Sequence, residues 1–227
     1  MNLPVPSSRS VSVFSSVRFL SRVEDGEQLH GLLWPAGEGW RMISSAVHGG
    51  GIGERAWVLN AQVSHGYRRR DPESHLEDLA RGAHVFGPGV GLLTAADVRA
   101  YGHGSDGAVE AVVTAGLGVR GWAASLADSE ELPARPGTIN IVVALPVSLS
   151  DAALVNAVAT ATEAKVQALL DCGYDCSGTP TDAVCVAARS PRAGGEIHAF
   201  AGPRSLWGGR VARAVHAAVR GAVTSSV

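Results

Sequence analysis

The sequence predicts an α+β fold in a single domain spanning residues 1–227: a layered, mainly antiparallel or mixed β-sheet packed with a few helices. Three observations carry this. Short runs rich in Val, Ile, Leu and Thr recur along the chain, each bounded by Gly, Pro or Asp. They succeed one another through the first 145 residues with one clear helical pattern among them, unlike the regular alternation of a parallel α/β fold. No internal repeat, low-complexity block or long linker divides the chain.

In order, the expected strands are Val11–Phe19, Leu29–Trp34, Arg41–Val47, Ala56–Val63, Val90–Val98, Val109–Ala115, Thr138–Leu145 and Asp182–Ala188. The expected helices are Asp71–Arg81, Ser150–Cys172 and Leu206–Val223. Ser150 is a good N-cap for the second, and Gly173 marks its end. The third is amphipathic, with Val211, Val215, Ala218 and Val219 on one side and Arg210, Arg213 and Arg220 on the other. The first residues, MNLPVPSSRSVSVF, lack the continuous apolar core of a signal peptide and read as a tail entering a strand.

Composition excludes several function classes. A hydrophobic content of 46%, with 18% charged residues, is that of a globular chain rather than a disordered one. A net charge of −2 leaves no electrostatic footprint for nucleic acid or an acidic membrane surface, and no apolar run is long enough to span a bilayer. The three arginines at 68–70 are followed at once by Asp71 and Glu73, as in a solvated loop. Cys172, Cys176 and Cys185 are odd in number and lack zinc-pair spacing, so they read as reduced thiols in a cytoplasmic protein.

The chain has 18 arginines and one lysine, Lys165. At about 100° per residue, Leu154, Val158, Ala161, Lys165 and Leu169 share one narrow sector of the Ser150–Cys172 helix. Thr162, Val155 and Val166 extend it, while Asn156, Thr160, Glu163, Gln167 and Asp171 gather opposite. Lys165 thus sits near the middle of the apolar face. Either its stem lies along the core and the ammonium reaches water, or it ends in a polar pocket. In a pocket it must meet a carboxylate or lose its proton, since an unpaired buried ammonium costs several kcal/mol. Asp182, which opens an apolar strand soon after this helix, is the expected partner.

Three glycine-flanked turns at strand ends carry small polar groups suited to a pocket rim: Ser44-Ser45-Ala46-Val47-His48-Gly49-Gly50-Gly51, Pro136-Gly137-Thr138-Ile139-Asn140 and Ser177-Gly178-Thr179-Pro180-Thr181-Asp182. Taken singly, each is also ordinary turn chemistry. Gly116-Leu-Gly118-Val-Arg-Gly121 matches a dinucleotide fingerprint, but no acidic residue ends the next strand and the crossover is short. A nicotinamide oxidoreductase is therefore disfavoured. The eight histidines form no HxH or HxxxH pair, although His48 and His65 sit on loops after strands. No GxSxG elbow is present.

Read as a series, SSAVHGGG (44–51), WVLNAQV (57–63), GVGLLTAADV (89–98), VTAG (113–116), PGTINIVV (136–143), ATATEAK (159–165), SGTPTDAVCVA (177–187) and AGPRSLWGG (201–209) resemble the adenosylcobinamide amidohydrolase family, CbiZ, from about residue 41 to 219. Ser177 stands where that family commonly has threonine, which preserves a hydroxyl. The glycine run at 49–51 lacks a polar residue that the family often carries before it.

The resemblance implies hydrolysis of the amide linking aminopropanol to a corrin ring, giving adenosylcobyric acid for corrinoid salvage and coenzyme B12 synthesis. It implies no cofactor and no protein metal, because the cobalt belongs to the substrate. The implied partner is the corrinoid itself, with a homo-oligomer left open. On this reading Lys165, Asp182, Thr181 and Glu163 form the catalytic set. Thr179 and Ser177 are further nucleophile candidates, and Asn140 is a candidate oxyanion donor. Ser44, Ser45, His48, Asn60, Thr94, Thr138, Asn140, Thr162, Ser177 and Thr179 are the substrate-binding candidates. The competing class is a non-catalytic corrinoid-binding or carrier protein.

Overall fold

In the computed structural model, residues 12–125 and 137–225 are described. Val11, the tail before it, and Pro136 lie outside them. Six strands form the central sheet: β3 (Trp40–Ser44), β4 (Gly51–Glu54), β7 (Gly102–Asp106), β8 (Val109–Gly116), β9 (Thr138–Ala144) and β11 (Ala183–Arg189), in the order β4-β3-β11-β9-β8-β7. β9 and β11 run parallel, joined through helix α2 (Asp151–Asp171), and the other pairs are antiparallel. Every residue of β9 is buried, as expected for a strand covered on both faces.

A second sheet, in the order β1-β2-β5-β6, contains β1 (Arg18–Glu24), β2 (Glu27–Trp34), β5 (Trp57–Gln62) and β6 (Gly89–Thr94). Alternation along each strand sorts side chains between layers. Val58 of β5 joins Trp34, Met42, Leu92, Val142, Ala144 and Cys185 in a core between the two sheets. Trp57, Leu59 and Ala61 point the other way, onto Leu76 and Ala80 of α1 (Pro72–Gly82). On the far face of the central sheet, Ile139, Ile141, Val143, Val184 and Val186 pack against α2 and α3 (Leu206–Ser225). The result is four layers: helices, sheet, sheet, helix. Two short strands, β10 (Ser148–Leu149) and β12 (Ile197–His198), pair parallel beside them.

The α+β class and all three helices agree with the sequence reading. The Ser150 hydroxyl accepts from Ala153 N at 3.2 Å as the N-cap of α2, and Gly173 follows the helix end at φ +82°. The first expected strand differs: Val13–Ser16 is a single 3-10 turn, and β1 runs from Arg18 to Glu24. Phe14 fills the gap between the sheets there, in edge contact with Trp34. β7, sequence GHGSD, carries no strand signal. Its glycines exist because α3 lies directly on them: a Cβ on Gly102 would stand 1.9 Å from Ala218 O, and one on Gly104 2.2 Å from Ala214 O.

The helical wheel also needs correction. Thr160 is fully buried and donates to Ala201 O at 2.8 Å, whereas Val155 is 56% exposed. α2 packs against α3 and the segment preceding it as well as against the sheet, so its buried sector turns toward Ala153, Ala157, Thr160, Ala164 and Ala168. Alanine at four of these five positions permits the close approach.

Candidate functional site

Lys165 projects from the buried face of α2 with 7% of its surface exposed. Asp182 immediately precedes β11, which runs parallel to β9. The pairing expected between them is present: Lys165 Nζ donates to Asp182 Oδ2 at 2.5 Å. Three further donors converge on the same carboxylate. Oδ1 accepts from Ile139 N at 2.9 Å and from the Thr179 hydroxyl at 2.5 Å, and Oδ2 accepts from Thr179 N at 3.2 Å. Four such hydrogen bonds fix the carboxylate in orientation. Among the described residues Asp182 is the one hydrogen-bond partner of Lys165, which leaves ammonium hydrogens for a ligand.

The pair lies at an open cleft of about 420 Å³ whose walls include Trp122, Thr162, Val166, Ser177 and Thr179. Gly178 closes the floor, at φ +151°. A Cβ there would meet Asp182 Oδ2 at 2.2 Å and Lys165 Nζ at 2.6 Å, so only glycine fits beside the ion pair. The Ser177–Gly178 turn is stitched to residues 121–123. Gly121 N donates to Gly178 O at 3.0 Å, Ser177 N to Gly121 O at 2.9 Å, and Ala123 N to the Ser177 hydroxyl at 2.8 Å. A wider cavity of about 530 Å³, beside His65, Asp97 and Tyr174, has no buried ion pair among its lining residues.

Of the residues singled out from sequence, Lys165, Asp182, Thr162, Ser177 and Thr179 therefore share one cleft. Thr181 and Thr138 stand just behind it. Their hydroxyls are 2.6 Å apart, and Thr181 also donates to Gly137 O at 3.0 Å. Glu163 is exposed on the outer side of α2 and is not among the cleft's lining residues.

Asn140 does not fit the role of oxyanion donor at Lys165. It points from β9 toward the second sheet, opposite to Ile139 and Ile141, which face α2. There its amide donates to Asn60 Oδ1 at 2.8 Å and to Leu93 O at 2.9 Å, while Asn60 donates to the Thr114 hydroxyl at 2.8 Å. The cluster ties the two sheets together.

The remaining candidates also lie away from the cleft walls. Ser44 and Ser45 stitch β3 to Val184 of β11, and the Thr94 hydroxyl accepts from Ala96 N at 3.1 Å. His48 stacks on Trp57 with ring centroids 5.5 Å apart. The GLGVRG segment runs from the last residue of β8 through a bend to the Gly121–Gly178 bridge and, through residue 125, opens no helix, unlike a dinucleotide fingerprint. From sequence, Gly178 reads only as part of a rim turn, not as a site residue, and Trp122 is not singled out at all. A glycine inside the GTPTD turn was the available hint for the first, and exposure, which no sequence pattern reports, marks the second.

Among the described residues no group of three or more His, Cys, Asp or Glu is gathered as a metal site, and no helix is long and apolar enough to cross a membrane. The family model for CbiZ, adenosylcobinamide amidohydrolase, matches residues 17–227. A Methanosarcina mazei protein named adenosylcobinamide amidohydrolase is 35% identical over 145 residues, which is 64% of this chain and 68% of that one. One of the same name from Halobacterium salinarum is 40% identical over 102 residues, 44% of this chain and 41% of its own. The solved PH0078 protein from Pyrococcus horikoshii covers 95% of this chain and 87% of its own at a TM-score of 0.50 and 11% identity, a likeness of fold alone. With the family model matching nearly the whole length, the chain belongs to the adenosylcobinamide amidohydrolase (CbiZ) family.

Proposed function

We propose that this protein hydrolyses the amide joining aminopropanol to the corrin of adenosylcobinamide, with the Lys165–Asp182 cleft as its active site, releasing adenosylcobyric acid for corrinoid salvage. Family membership supports the amidohydrolase activity. The observation that carries the site is a buried, hydrogen-bonded Lys–Asp pair open to a cleft.

Amide hydrolysis adds water across the C–N bond: oxygen to the acyl carbon, a proton to the departing nitrogen. The tetrahedral oxyanion needs a preorganised positive donor, and Lys165, aimed by Asp182, supplies one in a largely desolvated place. The same ammonium can hand a proton to the leaving amine. Asp182, already accepting four hydrogen bonds, serves mainly to orient Lys165 and Thr179. Of the three candidate hydroxyls, Thr179 alone donates to a carboxylate. We assign it to the attacking position, as nucleophile or as the group holding the attacking water. Asp182 takes the proton released on attack and passes it to Lys165, replacing the one given to the amine.

The test is turnover. Purified protein incubated with adenosylcobinamide should release free aminopropanol. Retention of the corrinoid without release would instead identify a carrier.

A further inference from the structure

We infer that Trp122 is a substrate platform at the mouth of this cleft, bearing the apolar edge of the corrin ring while the amide arm reaches down to Lys165. The inference rests on the amidohydrolase reading and adds a specificity-determining residue to it. Singly exposed apolar side chains are common on protein surfaces, so exposure alone says little. Trp122 differs in how firmly it is held. Trp34, Trp40 and Trp57 are 4% exposed or less, whereas Trp122 is 45% exposed and lines the cleft that contains the ion pair.

Its backbone neighbours on both sides are hydrogen-bonded to the Ser177–Gly178 turn, the same turn whose missing side chain makes room for Lys165 and Asp182. Its indole N–H donates to Asp175 Oδ1 at 3.2 Å, which sets the ring's orientation. Arg120, two residues earlier, is anchored in turn, donating to Leu117 O at 3.0 Å and lying over the Tyr174 ring at 5.3 Å. An aromatic side chain is thus fixed in direction while nearly half of its surface stays exposed. That is how binding sites present a rigid apolar contact at low entropic cost.

Size assigns the part of the substrate. A cleft of about 420 Å³ is of the size that takes one drug-sized group. A fully substituted corrin is far broader than such a group, so an amide arm enters and the ring stays at the mouth. The ring edge, rich in methyl groups and methylenes, is what an exposed indole there would meet.

The experiment compares wild type, Trp122→Ala and Trp122→Phe by steady-state kinetics and by equilibrium dialysis. The probes are adenosylcobinamide and cobinamide lacking the adenosyl ligand. Trp122→Ala should raise KM and the dialysis Kd by about tenfold, with kcat changed less than about threefold. Trp122→Phe should recover most of the loss, and the fold-change should be equal for both corrinoids. A hydrolysing wild type with unchanged KM in Trp122→Ala, or a variant losing kcat at constant KM, overturns the platform alone. A loss confined to the adenosyl form overturns the ring contact. Wild type that binds without turnover sinks the amidohydrolase reading, and the dialysis Kd then judges Trp122 by itself. Wild type that neither binds nor hydrolyses overturns both.

Discussion

Gly178 turns a bare α-carbon toward Lys165: a methyl group there would stand 2.6 Å from Nζ and 2.2 Å from the carboxylate that holds it. The backbone at this glycine, φ +151°, is also one that side chains rarely adopt. Gly178→Ala is therefore expected to displace the ion pair and strain the turn. It should lower stability by about 1–3 kcal/mol and reduce activity more than the melting shift explains. A variant that melts and turns over like wild type would show that the turn relaxes freely.

Lys165→Met keeps the stem and removes the charge. Asp182 retains Ile139 N and both Thr179 donors, so the fold should survive with a lowered melting temperature. Activity should fall about a hundredfold or more, as when an oxyanion donor is lost. Lys165→Arg should not restore it, because the guanidinium is larger and its fork does not match a point contact. Asp182→Asn should share the defect, with the double variant little worse than either single one. Near wild-type kcat/KM in a folded Lys165→Met would reduce the lysine to a structural role.

Thr160→Val serves as the contrasting case. The substitution nearly preserves shape but leaves Ala201 O without its buried donor. A cost of about 1–3 kcal/mol is expected, seen as a lower melting temperature. Since Thr160 does not line the cleft, kcat/KM should stay unchanged. A selective loss of activity would mean that α2 transmits strain to Lys165.

Glu110 anchors the chain's first described turn, accepting from the Ser12 hydroxyl and Val13 N, each at 2.6 Å, and pairing with His103 at 3.1 Å. Burial pushes its carboxyl up, but these hydrogen bonds outweigh burial and hold it below the usual glutamate range. A pKa depressed by folding gives stability that is present above the unfolded value, about 4.3, and lost as pH falls through the folded one. Glu110→Gln should therefore melt lower than wild type at neutral pH, and the gap should close in acid below about pH 4. A gap that is constant with pH would refute this anchoring.

The three thiols should separate by reactivity. Burial pushes Cys185 up to about 12 and also raises Cys176, while Cys172 is only partly buried. A thiol reagent at neutral pH should modify Cys172 first, with the other two reacting on unfolding. Rapid modification of all three in native protein would contradict this packing.

Much of this protein was legible in the residues alone. Period-3.6 patterning, the Ser150 cap and Gly173 place α2 to within a residue at each end, and one lysine on that helix's apolar face calls for a carboxylate such as Asp182. The helix and its caps are local facts, decided by side chains a few positions apart, and the carboxylate partner lies only 17 positions on. The tertiary structure decided the rest. β7 is a strand because it pairs antiparallel with β8, and its glycines make room for α3 above it, which no period-2 pattern announces. Thr160 is buried because the segment before α3 covers a side of α2 that looks polar on a wheel. Asn140 and Ile139 are neighbours in sequence, yet pleating sends one to the second sheet and gives the other's N–H to Asp182. The assembly of Trp122, Gly178, Lys165 and Asp182 depends on contacts across 60 positions of chain, from 122 to 182. Sequence records which groups are present, but packing between distant segments determines which of them meet.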